Sequence, residues 1–324
     1  MSRSRVAVLT LLLPIASVAL AQPIPGVEGK SYYAPQEQLA QRMMRRQLPS
    51  LAQTLPQPLE IRLGALSGDE RKRFEMAGQA EAKVAGVHRR VDPNLLERGR
   101  AEFLDGEHSV WRLALHSQDA AGLRVHFTGF DAGSGRVWVH AGTGEESEIH
   151  GPYTGKGLYG DGDFWSDVVL GETLVVEYEP GRPMGPGETP PFQIAELSHL
   201  AAGALPRFAE DLNAGAREAA ASCNLDVTCY PNWAETAKAV AHIVFERDGS
   251  SYVCSGTLVN TRSGRDTPYF LTAQHCIADD TTARSVSAFW SYQTSTCNGT
   301  PPNRRDVPRT LGARYLVGTP TSSG

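Results

Sequence analysis

The sequence predicts a mainly β fold with a helical segment near its N-terminus. From Trp111 to Tyr178, apolar residues alternate with polar ones at a period of two, which is typical of half-buried strands. Short stretches such as DAAG, DAGSG and GDGD separate these runs and carry residues that favour turns. After Cys223 the sequence becomes strand-like again, in AKAVAHIVFER, SYVCSGTLVN and SVSAFWSYQ. These observations predict two successive β regions.

Length and charge restrict the class of protein. The 324 residues are enough for about two domains with hydrophobic cores. The net charge is -5, with acidic and basic residues interspersed. A nucleic-acid binder needs a broad basic surface that releases counterions from phosphates, so no nucleic-acid partner is predicted.

The first residues are typical of a Sec-type signal peptide. Arg3 and Arg5 precede an apolar run from Val6 to Leu20, and small residues end at Ala21. We predict cleavage after Ala21 and secretion to the extracellular side, with the periplasm crossed in transit. A membrane anchor is the alternative, but the run is shorter than the roughly 20 apolar residues that span a bilayer. Stable membrane insertion is therefore not expected.

Residues 22–100 are predicted to form a helical N-terminal segment. The stretch Glu37–Leu48 places Leu39 and Met43 on one helical face, and the stretch Gly68–Val84 is charged with few apolar anchors. A basic amphipathic helix can contact a membrane surface. For the amphipathic stretch of this segment, docking on a neighbouring domain is the favoured interpretation.

Residues 101–182 are predicted to form a β-sandwich, because several short strands are separated by turns at regular spacing. Residues 183–217 are predicted to be a linker that begins with PMGPGETPP and continues as an alanine-rich, helical connector. Arg217 stands just ahead of EAAASC, which makes it a candidate processing site. Residues 218–324 form the last predicted region.

Five cysteines follow residue 222, and in an exported chain they are candidates for disulfides rather than reduced thiols. The odd number leaves one cysteine without a partner in this chain, which indicates either a reactive thiol or an absent remainder. The five are Cys223, Cys229, Cys254, Cys276 and Cys297.

The segment PYFLTAQHC places His275 at the end of a predicted buried strand, directly before Cys276. A disulfide at Cys276, for example to Cys254, would pin the backbone beside the histidine at a stability gain of roughly 3 kcal/mol. Such rigidity suits a general base, whose ring nitrogen must lie within about 3 Å of the proton that it removes. An ordinary strand-end histidine beside a stabilising bridge is the alternative.

Four blocks of this region resemble, in order, the trypsin-like serine proteases of the bacterial lysyl endopeptidase branch. The resemblance implies that residues 218–324 are part of the first β-barrel of a chymotrypsin-like double barrel. It also implies that His275 is the catalytic general base and that the substrates are proteins or peptides. The blocks are SCNLDVTC (Ser222–Cys229), CSGTLVN (Cys254–Asn260), PYFLTAQHC (Pro268–Cys276) and FWSYQTSTC (Phe289–Cys297).

The same resemblance pairs the cysteines. It implies one bridge between Cys254 and Cys276 and a second between Cys229 and Cys297. Cys223 would then pair with a cysteine of a second barrel, which this sequence does not contain.

The remaining members of a serine-protease triad are not found in this sequence. No GDSGG or GxSGxP motif occurs, and the terminal TPTSSG lacks a glycine two residues before either serine. Asp279 and Asp280 are the acids nearest to His275 in the sequence, and we interpret them as a solvated loop. The resemblance places the acid and the serine beyond Gly324, so this chain, as a fragment, is predicted to be inactive alone.

Three weaker patterns lead to no cofactor prediction. GPYTGK (Gly151–Lys156) is one residue short of a phosphate-binding loop. YGDGDFW (Tyr159–Trp165) lacks the later ligands of a calcium loop, so a turn is favoured. The nine histidines are scattered and form no HExxH motif, so no metal is predicted.

The predicted sandwich resembles, more weakly, the long N-terminal regions of exported lysyl-endopeptidase precursors. We hypothesise a zymogen whose pro-region contacts the catalytic part in cis, assists its folding and is removed near Arg217. A retained binding module for a surface polymer is the alternative for this region. For the whole chain, the rival hypothesis is a non-catalytic secreted β-protein with a degenerate protease scaffold and a ligand-binding sandwich. The family name alone favours cleavage after basic residues.

Overall fold

The computed structural model has a mainly β architecture with curved sheets, as the sequence predicts. It describes residues 47–52, 55–76, 82–104, 108–142, 148–185, 187–201, 225–262, 267–299, 302 and 307–318.

The N-terminal elements are α1 (Pro49–Ala52), β1 (Glu60–Leu63), α2 (Gly68–Met76), β2 (Lys83–Arg90), a 3-10 turn (Leu95–Arg98) and β3 (Arg100–Phe103). The middle strands are β4 (Ser109–Ser117), β5 (Ala120–Thr128), β6 (Arg136–His140), β7 (Ile149–Tyr153), β8 (Phe164–Trp165), β9 (Val169–Leu170), β10 (Thr173–Glu179) and β11 (Gln193–Ala201). The C-terminal elements are two 3-10 turns (Val227–Cys229, Pro231–Trp233), α3 (Ala234–Ala237), β12 (Val240–Arg247), β13 (Ser250–Val259), β14 (Tyr269–Thr272), α4 (Asp280–Arg284), β15 (Ser287–Trp290) and β16 (Arg309–Leu311).

The first sheet is built around β4. Its order is β1-β4-β10-β6-β7, and β3 pairs with the start of β4. β1 runs parallel to β4, whereas β3 and β10 are antiparallel to it. Trp111, Leu113 and Leu115 alternate along β4 and are buried in the same hydrophobic core, which confirms the period of two in this part of the sequence.

The second sheet is longer and joins the middle of the chain to its C-terminal part. Its order is β16-β15-β12-β13-β2-β11-β5-β8, with β14 on β13 and β9 on β5. The strand β2 lies between β11 and β13, so it connects the two regions through backbone hydrogen bonds on both sides. Strands β12–β16 form a curved half-barrel at the C-terminal end of this sheet.

The two sheets pack face to face through one hydrophobic core. Leu113 and Val176 enter it from the first sheet, and Val125 and Phe127 enter it from the second. The ring of Phe127 lies 5.2 Å from that of Phe164, centroid to centroid, within a group of aromatic side chains. The core therefore contains side chains from both sheets, and the bounds 101–182 of the predicted sandwich remain a prediction.

Two local predictions are wrong, because long-range pairing overrides helical composition. The helix predicted over Gly68–Val84 ends at Met76, and the chain resumes as strand β2 at Lys83. The connector predicted to be helical begins as strand β11, which pairs with β2 on one side and β5 on the other. The stretch Glu37–Leu48 falls almost wholly outside the described residues, so its predicted helix remains a prediction.

Buried charges accompany the strand pairing between the two regions. Glu246 on β12 pairs with Arg124 on β5 at 3.0 Å and with His88 on β2 at 2.9 Å, and each of these side chains is at most 7% exposed. Burial opposes ionisation of Glu246, but His88 and Arg124 hold the pKa of this carboxyl below its usual range. The end of β12 is therefore fixed by charges from strands more than one hundred residues away in sequence.

Candidate active site

His275 lies in the turn between β14 and α4 and is exposed. The backbone N–H groups of Cys276 and Ile277 both donate to the carbonyl of Ala273, at 3.0 and 3.3 Å, and close this turn. Cys276 and Ile277 are buried directly after the exposed histidine. The turn therefore has one side anchored in the core and the imidazole on the surface.

The cluster beneath the turn is apolar. Cys276 and Ile277 pack in one cluster with Phe245 of β12 and Ala283 of α4. Ala82, just before β2, belongs to the same cluster, so the N-terminal part of the chain also supports the histidine turn. This packing restricts movement of the backbone on which His275 stands.

A disulfide joins Cys276 to Cys254 of β13, with 6.3 Å between their Cα atoms. Cys254 lies opposite Ile243 in the β12–β13 ladder, so the bridge connects the histidine turn to the middle of the half-barrel. This is the pairing that the resemblance implies. The structure therefore places His275 beside a covalent attachment to a regular strand.

Arg247 is a second attachment of the turn, and it lies outside the motifs that predict the site. Its Nη1 donates to the backbone carbonyls of His275 at 2.8 Å and Cys276 at 3.4 Å. The guanidinium lies 4.5 Å from the centroid of the Tyr252 ring. No motif in the sequence signals this contact, since it depends on the path of the turn.

The two acids closest to His275 in the sequence have structural partners. Asp279 caps α4, because its carboxylate accepts from the backbone N–H of Thr282 at 2.8 Å and from the Thr282 hydroxyl at 3.0 Å. Asp280 accepts from the backbone N–H of Tyr315 at 2.9 Å. Both carboxylates stabilise the loop that follows the histidine turn.

The second disulfide joins Cys229 to Cys297, with 4.4 Å between their Cα atoms. Beside it, Asp226 accepts from the hydroxyl of Thr294 at 2.6 Å and from the backbone N–H of Asn298 at 2.8 Å. The hydrogen bond from Thr294 is the main cause of a lowered pKa at Asp226. The start of the C-terminal region is thus attached to the segment after β15.

One group among the described residues has the spacing of metal ligands, namely Cys254, His275 and Cys276. Both of its sulfurs are consumed in the disulfide, so they are unavailable as thiolate ligands.

The loop Tyr159–Trp165, predicted to be a turn, has its acids paired. Asp161 pairs with Arg284, and Asp163 pairs with His126 at 2.9 Å. The carboxylates that a calcium ion would need are therefore engaged with side chains of the protein.

The GPYTGK stretch is not arranged as a phosphate-binding loop. It begins inside strand β7 and continues into turns, without a following helix whose N-terminus could face a phosphate.

Three predicted processing or cysteine positions, Ala21, Arg217 and Cys223, lie outside the described residues. Within the described part of the chain, no helix is long and apolar enough to cross a bilayer.

The curved half-barrel, to which a disulfide joins the histidine turn, is β-rich and agrees with a chymotrypsin-like fold. Residues 217–322 match the family model described as lysyl endopeptidase, C-terminal domain. A lysyl endopeptidase of Pseudomonas aeruginosa is 32% identical over 211 residues, which cover 60% of this chain and 43% of the relative. The chain is therefore similar to lysyl endopeptidases, as the motifs predict, and it spans less than half the length of this relative.

Proposed function

We propose that the protein is part of a secreted serine endopeptidase precursor in which His275 is the general base. The observation that carries this proposal is the exposed imidazole on a turn fixed by the Cys254–Cys276 disulfide. In this role His275 takes the proton from the attacking serine hydroxyl and returns it to the leaving amine. Both transfers need a ring held at a constant angle, which the anchored turn provides.

The acid that orients the histidine and the serine that attacks the peptide carbonyl are proposed to lie beyond Gly324. Asp279 and Asp280, the nearest acids along the chain, are engaged with Thr282 and Tyr315. A base alone supplies neither a nucleophile nor donors for an oxyanion. The 324-residue chain is therefore proposed to have no peptidase activity alone.

Protein or peptide substrates follow from the protease resemblance, and cleavage after basic residues follows from the name of the family. The resemblance places the pocket for the basic side chain in the second barrel. The proposed selectivity therefore rests on the resemblance alone.

The region between Ala21 and Arg217 is proposed to be a pro-region that contacts the catalytic part in cis and assists its folding. Two observations support this proposal: β2 pairs with β13 along residues 250–253, and Glu246 pairs with both Arg124 and His88. A segment that contributes both a neighbouring strand and buried counter-charges is suited to template the half-barrel.

The proposal is tested by comparing this chain with the product of the gene read beyond codon 324. The longer product should cleave peptides after lysine or arginine, and a serine-directed inhibitor or His275→Ala should abolish turnover. This chain should show none. Absence of an acid and a serine motif downstream would favour the rival non-catalytic β-protein, and turnover by this chain that the inhibitor blocks would contradict the assignment of the serine.

Processing is tested separately by N-terminal sequencing of the secreted active protein. A start just after Arg217 is expected for a removed pro-region. A start at Gln22 with full activity would instead support a retained accessory module.

A further inference from the structure

The guanidinium of Arg247 lies beneath the backbone of the histidine turn, at the end of β12. Its Nη1 reaches the carbonyl oxygen of His275 at 2.8 Å and that of Cys276 at 3.4 Å. One donor is therefore shared by two consecutive peptide planes. A charged donor makes a stronger hydrogen bond to a carbonyl than a neutral one does.

The disulfide and Arg247 restrain different parts of the turn. The Cys254–Cys276 bridge holds the side chain of Cys276, whereas Arg247 holds the carbonyl of His275 itself. The direction of the imidazole depends on the backbone angles of His275, which a bridge at the next residue leaves partly free. The contact from Arg247 acts on the peptide plane that directly follows the His275 Cα.

The position of the guanidinium is itself fixed by the core. It lies 4.5 Å from the centroid of the Tyr252 ring, a distance suited to a cation–π contact. Tyr252 stacks in turn on Phe245, which is fully buried, with 5.7 Å between ring centroids. Arg247 thus packs on the Tyr252 ring, and Phe245 packs on the Tyr252 ring in turn, within the β12–β13 hairpin.

The preceding residue fixes the end of β12 from the opposite side. Successive side chains of a strand point to opposite faces, so Glu246 points away from the turn that Arg247 contacts. Glu246 is bound by Arg124 and His88. The strand end from which Arg247 extends is therefore held in place independently of the histidine turn.

We propose that Arg247 is a positioning residue, which sets the orientation of the His275 imidazole through the two backbone carbonyls of the turn. The relevance of this role to catalysis rests on the proposed function of His275. The orientation itself is a property of this chain and can be measured without substrate. Arginine is suited to this role because its planar, stacked guanidinium is held more rigidly than a lysine ammonium.

The test uses the 324-residue chain with histidines labelled at 13Cε1 and compares Arg247→Gln with Arg247→Lys by NMR. A His275→Gln spectrum assigns the His275 signal. Arg62→Gln is the matched control. Arg62 is 74% exposed and pairs with Glu60 of its own strand, β1, which belongs to the other sheet. Amide hydrogen exchange at Cys276 and Ile277 is measured on the same samples.

With Arg247→Gln, the His275 signal should shift or broaden, and exchange at the two amides should rise about tenfold, as expected for loss of a charged hydrogen bond. The other histidine signals should stay in place. Arg247→Lys should restore part of the effect, and Arg62→Gln should cause none. If Arg247→Gln does not fold, Arg247→Lys is compared with the wild type, and exchange at Cys276 and Ile277 should rise by less than about tenfold.

The proposal is overturned if Arg247→Gln changes neither the His275 signal nor the exchange at the two amides. If Arg247→Gln does not fold, the same result for Arg247→Lys overturns it. Equal shifts of all histidine signals also overturn it, because they indicate general loss of structure. Neither result depends on peptidase activity. A failed protease assay would therefore remove the proposed function but leave the measured effect of Arg247 on the turn.

Discussion

Glu246 on β12 and Arg124 on β5 form an ion pair from which solvent is excluded, with 3.0 Å between Oε1 and Nη1. The pair connects strands that are 122 residues apart in sequence and belong to the two regions joined by the long sheet. His88 occupies the other oxygen of the same carboxylate at 2.9 Å. One acid in the C-terminal half-barrel thus neutralises two groups from the N-terminal part.

Glu246→Gln should destabilise the protein strongly, because it leaves the Arg124 guanidinium buried without its counter-charge. The expected loss in the free energy of unfolding is about 3–5 kcal/mol. Urea-induced unfolding at pH 7 measures it. Glu235→Gln is the control, since Glu235 is 78% exposed and pairs with Lys238 on the surface, and it should cost less than about 1 kcal/mol. Similar losses in both variants would contradict the importance of the buried pair.

His88 should make stability fall at alkaline pH. Burial alone lowers its pKa, but the hydrogen bonds and charges of Glu196 and Glu246 outweigh burial and raise the pKa to about 9. The pKa in the unfolded chain is about 6.5. Protonated His88 therefore stabilises the fold fully below about pH 6.5, and this contribution is lost as the pH rises through about 9.

The measurement is the free energy of unfolding between pH 6 and pH 10. The wild type should lose on the order of 3 kcal/mol relative to His88→Gln over this range. His116→Gln, a change at a histidine bonded to Thr173, should retain the wild-type slope. Parallel curves for the wild type and His88→Gln would show that His88 is not the titrating group.

His199 should act in the opposite direction. Burial, followed by the nearby charge of Arg89, lowers its pKa to about 4. Because this pKa lies below the unfolded value of about 6.5, the neutral form is favoured in the fold and stability is lost as the pH falls from about 6.5 towards 4. Removal by His199→Gln should flatten the acid limb of the stability curve and leave the alkaline limb intact. If the loss of stability at acid pH were the same in His199→Gln as in the wild type, carboxyl groups would be its cause instead.

Gly312 should not tolerate a side chain, because the Tyr159 ring occupies the space. Gly312 has a φ of 78°, and a Cβ there would lie 2.1 Å from the Tyr159 hydroxyl. Tyr159 donates to the carbonyl of Arg284 at 2.9 Å, so the clash would disturb the contact between the middle region and α4. Gly187→Ala is the matched control, with a φ of 77° and open space around the Cβ.

Both glycine variants should carry the backbone cost of about 1–2 kcal/mol for a left-handed residue. Gly312→Ala should lose clearly more stability than Gly187→Ala in thermal unfolding. Equal losses would mean that Tyr159 moves aside without cost.

The parts of the fold that could be predicted are those with a local signature. Trp111, Leu113 and Leu115 face the core from one side of β4, so their alternation is visible in the sequence. Strand β2 has no such pattern, since it is enclosed between β11 and β13 and buries His88 and Arg89. The ionic partners of His88, Glu196 and Glu246, are more than one hundred residues away and cannot be read from the local sequence.

Gly86 illustrates the same limit. It stands in the interior of β2, where glycine weakens a strand, and composition gives no reason for it. A Cβ at this position would lie 2.5 Å from the carbonyl oxygen of His199 on β11. The close approach of two strands that are far apart in sequence explains the residue.

The candidate site was predictable to the extent that its chemistry is written in short motifs. His275 and its neighbouring bridge lie within one recognisable block, and both disulfides join the cysteines that the resemblance pairs. Arg247 could not be found in this way, because its contact with the carbonyl of His275 spans 28 residues and involves backbone atoms. Motifs identify the reactive side chain, whereas its support depends on the tertiary path.

The two disulfides should contribute to stability in similar measure but differ in their effect on His275. On the chain-entropy model, the bridges with sequence separations of 22 and 68 residues are worth about 3 and 4 kcal/mol. The double change Cys254→Ala with Cys276→Ala should therefore lower the free energy of unfolding by about 3 kcal/mol. It should also increase hydrogen exchange at Ile277 and broaden the His275 NMR signal.

The double change Cys229→Ala with Cys297→Ala is the matched control. It should cost about as much stability and leave the His275 signal in place, because that bridge attaches the segment around Asp226 rather than the histidine turn. Urea-induced unfolding and the labelled-histidine spectrum provide both readouts on the same samples. If the two double variants disturbed His275 equally, the bridge beside the histidine would have only a general stabilising role.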